Sequence, residues 1–216
     1  MMRRCVILLA LLAPGLPAGD VIDRIVVTVG KEIITLGEVG RELRVSAFED
    51  DKPLDPGPAG RRAATERLVD RALIGIEIES NRYPAAERVD ALEELERRKK
   101  RFRDNTAYEA ALKKYGIHEE DLLERLEVEL TILRFIDFRF RLTEQPSSSD
   151  IERYYKENFV PLAEKNGVKE IPPLDQVQNK IEEILTKQRV DLSVEKWLRE
   201  ARKAAAIRYH PGALDD

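Results

Sequence analysis

Two histidines, His118 and His210, and an acidic run, Glu119-Glu120-Asp121, are the residues of this chain best suited to hold a metal or move a proton. Their spacing argues against both roles. No HxH, HExxH or His/Cys cluster surrounds either histidine, so no metal site is expected. The three acids stand just ahead of a periodic apolar run, where negative charge favours a helix start by opposing its dipole; they are read as that and not as an acid/base pair. The single cysteine, Cys5, lies inside an N-terminal apolar run, which leaves the rest of the chain without a thiol nucleophile, a disulfide or a thiolate metal site. There is no P-loop, GxGxxG or GxSxG, and Gly37 and Gly40 lack the strand-loop-helix setting that phosphate binding needs. These residues point away from an enzyme and from any cofactor.

What remains is apolar chemistry. Phe135, Phe138 and Phe140 near the end of one predicted helix, with Tyr154, Tyr155 and Phe159 beyond a polar stretch, are the densest aromatic neighbourhood in the sequence. Rings bury a large area while asking little of a partner's sequence, so these six are candidates for binding segments of unfolded chain in a groove. The same six can instead pack two lobes against each other. Both readings stay open at this level.

The elements that must position them follow from periodicity and punctuation. Val21–Val29 and Glu32–Ile34 are β-branched and interrupted by Gly30-Lys31, which predicts a hairpin or a strand followed by a stub. Thr35 with Glu38 makes a capping box for a helix from Leu36 to about Phe48, and the Asp/Pro/Gly-rich stretch 49–60 is a loop. A second helix, about 59–80, places Leu68, Val69, Ala72, Leu73 and Ile76 on one face. Pro84 suits the first turn of a third helix reaching about Phe102, whose charged run Glu93–Arg103 reads as a solvated face. Thr106 and Glu109 offer a box for a short helix ended by Gly116. The next helix extends to about Leu142, with Leu123, Leu126, Leu130, Leu133, Ile136 and Phe140 as its apolar stripe. Ser149 with Glu152 starts a short helix, Phe159–Pro173 is a loose connection, and a long amphipathic helix begins at Leu174 and carries Trp197, expected to be largely buried. Ile207 and Tyr209 alternate with polar neighbours as a final strand, whose evident partner is the N-terminal strand. The expected fold is mostly α with a small antiparallel β element, its ends meeting.

Arg3 and Arg4 ahead of the apolar run Cys5–Ala13, followed by Pro14 to Ala18, predict an export signal over residues 1–19. Nine apolar residues fall short of the about 20 that span a bilayer, so no stable membrane insertion is expected after cleavage. The whole chain holds 37 basic and 41 acidic residues. The predicted signal takes two arginines and no acid, and the resulting negative balance argues against nucleic acid. The remainder divides into a lobe over 20–145, a short helix and linker over 146–173, and a helix and strand over 174–216 that complete the same domain.

At this point the residues carry a resemblance. VIDRIVVTVGKEIITLGEV, Val21 to Val39, resembles the opening of the mature SurA-type periplasmic chaperones. LKKYGIHEEDLL, Leu112 to Leu123, is similar to a helix junction of that family, and SDIERYYKEN, Ser149 to Asn158, is similar to the helix leading into its parvulin domain. The segment from Val177 to Ile207 resembles the helix that returns from it. The resemblance implies a SurA N-terminal-like helical domain closed by the C-terminal helix and terminal strand. The chain departs from the family in one place: Phe159–Pro173 is too short for a parvulin module of about one hundred residues. The expectation is therefore a periplasmic holdase without prolyl-isomerase activity, whose partners are unfolded polypeptides and, by the resemblance, outer-membrane β-barrel precursors. An envelope adaptor gripping one folded partner, and an isomerase with an unrecognised site, are the alternatives.

Overall fold

β-branched residues dominate the start of the described chain, which runs over residues 23–214 in this computed structural model. The predicted export signal lies outside the described residues. Strands β1 (Ile25–Val29) and β2 (Glu32–Thr35) form an antiparallel hairpin turned at Gly30, whose φ of 61° is the left-handed conformation glycine adopts without steric cost. The final strand β3 (Ile207–Tyr209) pairs antiparallel with the other edge of β1, giving the order β2-β1-β3. Register shifts between Ile25 and Val27, and this irregularity lets the successive residues Val26 and Val27 both be buried where strict alternation would turn one outward.

Helix α1 (Leu36–Glu49) starts at the Thr35/Glu38 box: the Glu38 amide donates to Thr35 Oγ1 at 3.3 Å and the Thr35 amide to Glu38 Oε2 at 2.7 Å. Asp23 adds a second acceptor for the same helix end, taking the Gly37 amide at 3.0 Å, and a Cβ at Gly37 would sit 2.5 Å from its carboxylate. Glycine is required there by this close approach. Thr35→Ala is expected to cost about 1 kcal/mol, read as a lower urea midpoint with an unchanged m-value; a change under about 0.3 kcal/mol would mean that Asp23 carries the cap alone.

Helices α2 (Pro58–Asn81), α3 (Arg88–Lys99), α4 (Asn105–Tyr115), α5 (Glu119–Ile136), α6 (Ser148–Tyr154), α7 (Val160–Lys165) and α8 (Leu174–Ala204) follow. Three starts differ from expectation. Pro84 precedes α3, whose start is fixed instead by the Glu87 amide donating to Asp90 at 2.9 Å. Asp104 caps α4 through the Ala107 amide at 2.8 Å, displacing Thr106/Glu109, and Ser147 with Asp150 caps α6, displacing Ser149/Glu152. α4 does end at Gly116 in a left-handed turn, with the Ile117 amide donating to Leu112 O at 3.2 Å. The stretch expected as a loose connection after Phe159 is helical as far as Lys165, Pro161 being accommodated in the first turn of α7.

The buried side chains fall into three clusters. β1, α1 and α2 enclose Val26, Val27, Val39, Val69 and Leu73, with Ala201 and Ile207 of the C-terminal segment packed against them. α1, α3, α4 and α5 enclose Leu95, Tyr108, Leu112 and Leu126. The C-terminal parts of α2 and α5 meet α8 around Ile74, Ile78, Phe135 and Val190. α5 thus changes partners along its length, and Leu133, expected in its apolar stripe, faces solvent. Arg202 of α8 clamps α2 through Glu66 and Asp70 at 2.6 and 2.7 Å. The fold is mostly α with a small antiparallel sheet, and its first and last strands are neighbours.

Candidate functional site

Four of the six aromatic candidates occupy two π-helical turns, Phe138 and Phe140 in Asp137–Arg141 after α5 and Tyr155 and Phe159 in Tyr155–Phe159 after α6, while Phe135 ends α5 and Tyr154 ends α6. A π turn holds more than four residues, so it rotates the side chains that follow it relative to an α-helix. In the first turn Phe140 points into the core and Phe138 points out. Phe135 and Phe140 are core residues: Phe135 is 0% exposed and meets Tyr83, Phe140 and Trp197 at ring distances of 5.0 to 6.0 Å. Neither ring is offered to a client, which corrects their reading as binding candidates. Trp197 is packed against this core cluster without being sealed from water, and the Arg139 guanidinium lies 5.6 Å from its ring. Arg139 also lies over Phe135 and Phe140 and is ion-paired to Glu77.

Phe138 is different. It is 67% exposed, edge-on to Tyr83 at 5.6 Å, and Leu142, one π turn further on, is 82% exposed. Together they make an apolar ridge on the surface. Tyr154, Tyr155 and Phe159 are half-buried. Tyr155 stacks on Phe159 at 5.6 Å and donates its hydroxyl to Pro172 O at 2.9 Å, which ties the segment before α8 to the second π turn. The rings of the two π turns form separate sets among the described residues, so the sequence neighbourhood is not one spatial cluster. α6 is latched to α8 where Arg189 meets Asp150 at 2.7 Å; the Ser147 hydroxyl first, and then Arg189, hold the Asp150 carboxyl well below the usual carboxylate range.

Sequence patterning missed two features. Phe48, Phe102, Tyr108 and Tyr115 form a four-ring cluster between α1, α3 and α4, beside a hollow of about 240 Å³. Burial, and then Glu119, push the Tyr108 phenol up from its usual range. The second is a charged seam. Glu42 of α1 is 4% exposed and accepts from Arg67 at 2.8 Å, Arg71 at 2.9 Å, Arg125 at 2.9 Å and the Ser46 hydroxyl at 3.0 Å. Arg125 also binds Glu129 at 2.7 Å, and Glu129 leads to Arg98, which is paired with Glu49 and Glu94. Burial, and then Glu129, push the Glu49 carboxyl up, while Arg125 and Arg98 oppose the shift. Arg98 therefore departs from the solvated face expected of Glu93–Arg103. The seam places each carboxylate against a guanidinium and joins α1, α2, α3 and α5.

A cleft lies between α2 and α5. A hollow of about 380 Å³ there shares Arg71 and Val128 with an adjoining one of about 260 Å³, which α1 also walls through Glu38, Arg41, Glu42 and Val45. Among the described residues no group of three or more His, Cys, Asp or Glu is arranged to hold a metal ion, and no helix is long and apolar enough to cross a membrane. His118 precedes α5, its amide donating to Asp121 at 2.7 Å, and the His210 amide donates to Val26 O at 2.9 Å beside β3. No family model matches the chain, and no curated protein matches it.

Proposed function

We propose that this chain is a non-enzymatic holdase of the periplasm, which binds unfolded polypeptides, outer-membrane β-barrel precursors among them, and carries no prolyl-isomerase activity. The observation that carries the reading is the ridge of Phe138 and Leu142, large apolar side chains turned to solvent on a π-helical turn and at its C-terminal end. Burying a Phe or Leu completely yields about 1.5–3 kcal/mol. Two such anchors, set against the cost of association, give a weak grip that is released by exchange without nucleotide. The order of elements that resembles the SurA-type chaperones supports the compartment and the client class.

The mature protein is expected to slow the aggregation of a denatured outer-membrane barrel protein at near-stoichiometric ratio without ATP, measured by light scattering. Raising salt should change this little, since apolar burial is screened far less than charge attraction. Phe138→Ser with Leu142→Ser should remove most of the protection while shifting stability by under about 1.5 kcal/mol, the size of the edge contact with Tyr83. Absence of protection by the wild-type protein would end the holdase reading. Full protection by the double variant would move the binding surface elsewhere.

A further inference from the structure

Gly75 sits in the interior of α2, between Ile74 and Ile76. Glycine is the poorest helix former after proline, so an interior glycine usually answers to a close neighbour. At Gly37 and Gly60 that neighbour is present: an added Cβ would come within 2.5 Å of Asp23 and 2.1 Å of Asp55. At Gly75 an added Cβ meets nothing within 4 Å. The missing side chain leaves open the larger hollow of the α2/α5 cleft, walled by Ile78, Val128, Thr131 and Ile132.

The cleft has a length, a surface chemistry and a charge. Its α2 wall runs from Leu68 to Glu79, about 16 Å at the helical rise, which an extended chain covers with about five residues. The apolar walls accept small side chains. The arginines in it are already held, Arg71 and Arg125 by Glu42 and Arg41 by Glu124 and Asp121. At the other end Glu79 has no ion pair among the described residues, and Glu127 shares Arg88 with Glu120. The uncompensated charge of the rim is negative.

We infer that the cleft between α2 and α5, held open by Gly75, binds an extended segment of about five residues in which small apolar side chains alternate with basic ones. Alternation is what a strand presents: one face enters the apolar cleft while the other meets water and the acidic rim. Strands of membrane β-barrels carry this dyad pattern before they fold. The inference deepens the holdase reading by naming a second contact and the chemistry of its ligand.

The test uses the full mature chain and two fluorescein-labelled decapeptides, one alternating valine with lysine and one alternating valine with glutamate, read by fluorescence anisotropy at low salt. The lysine peptide is expected to bind, and the glutamate peptide at least about fivefold more weakly. Gly75→Leu fills the hollow with a good helix former, so Tm should hold or rise by about 2 °C while Kd for the lysine peptide rises at least about tenfold. Glu79→Lys should erase the preference for lysine. Equal binding of the lysine peptide by wild type and Gly75→Leu, equal binding of the two peptides by wild type, or no binding at all overturns the inference. Protection of a barrel protein by wild type with no Gly75-dependent peptide binding sinks the cleft and leaves the holdase standing. Gly75-dependent binding without protection does the reverse.

Discussion

Glu42→Ala is expected to destabilise the fold by about 3–5 kcal/mol, as a lowered urea midpoint with an unchanged m-value. The carboxylate is nearly sealed from water and lies among Arg67, Arg71 and Arg125, whose side chains are 42%, 23% and 15% exposed. Removing it leaves three guanidiniums facing one another with their shared counter-charge gone. Arg67 can turn out to water, but Arg125 is fixed between Glu42, Glu49 and Glu129. The penalty is mostly that of an uncompensated buried charge, so it exceeds the net worth of the pair itself. The double variant Glu42→Ala/Arg125→Ala should recover part of the loss, with a coupling of about 0.5–3 kcal/mol. A single-variant cost under about 1 kcal/mol would show that all three arginines reach solvent, and that the seam is a surface feature.

Phe135→Ala should be about as damaging, at about 3–5 kcal/mol. The ring is wholly enclosed, with Tyr83, Phe140, Trp197 and the Arg139 guanidinium around it, groups drawn from three parts of the chain; Arg139 is itself held by Glu77 and the Tyr83 hydroxyl, so the cavity left by removal of the ring closes poorly. Phe138→Ala, three residues on, should cost under about 1.5 kcal/mol because it loses one edge contact and little burial. Chemical denaturation of the two variants side by side reads the contrast directly. Equal costs would mean that the π-helical turn does not separate an inward from an outward ring.

That pair of residues also shows where patterning stops being informative. The hairpin, the Thr35/Glu38 box and the Gly116 stop were legible because each is closed by residues within a few positions of one another. Helix starts at Asp104 and Ser147 were misplaced by two residues because several side chains compete for the same amides, and the choice depends on geometry. Phe135 and Phe138 are alike in type and context. Their fates differ because α5 trades one set of packing partners for another and then enters a π turn, which re-phases the helix after the point where a 3.6-residue period would have been extrapolated. Glu42 stands beside Arg41 and Arg44 and reads as surface charge; its arginine partners are 25, 29 and 83 residues away, a distance that periodicity does not span. The cleft was invisible for the same reason, since Gly75 acquires meaning only once α5 lies opposite.

The position of β3 sets a timetable for folding. β1 is the middle strand, and one of its two neighbours is made of residues 207–209, separated from it in the chain by all the helices between. During synthesis the hairpin can form early, but the row of β1 backbone groups that faces β3, the Val26 carbonyl and the Gly30 amide among them, stays unsatisfied until residues 206–210 have emerged. Pairings of such long range are slow to form, because the loop they close must be ordered first. In that interval β1 is an open edge, available to any passing strand. The nascent protein thus transiently has the same aggregation liability as the clients proposed for it, and the arrival of its own final strand ends the exposure.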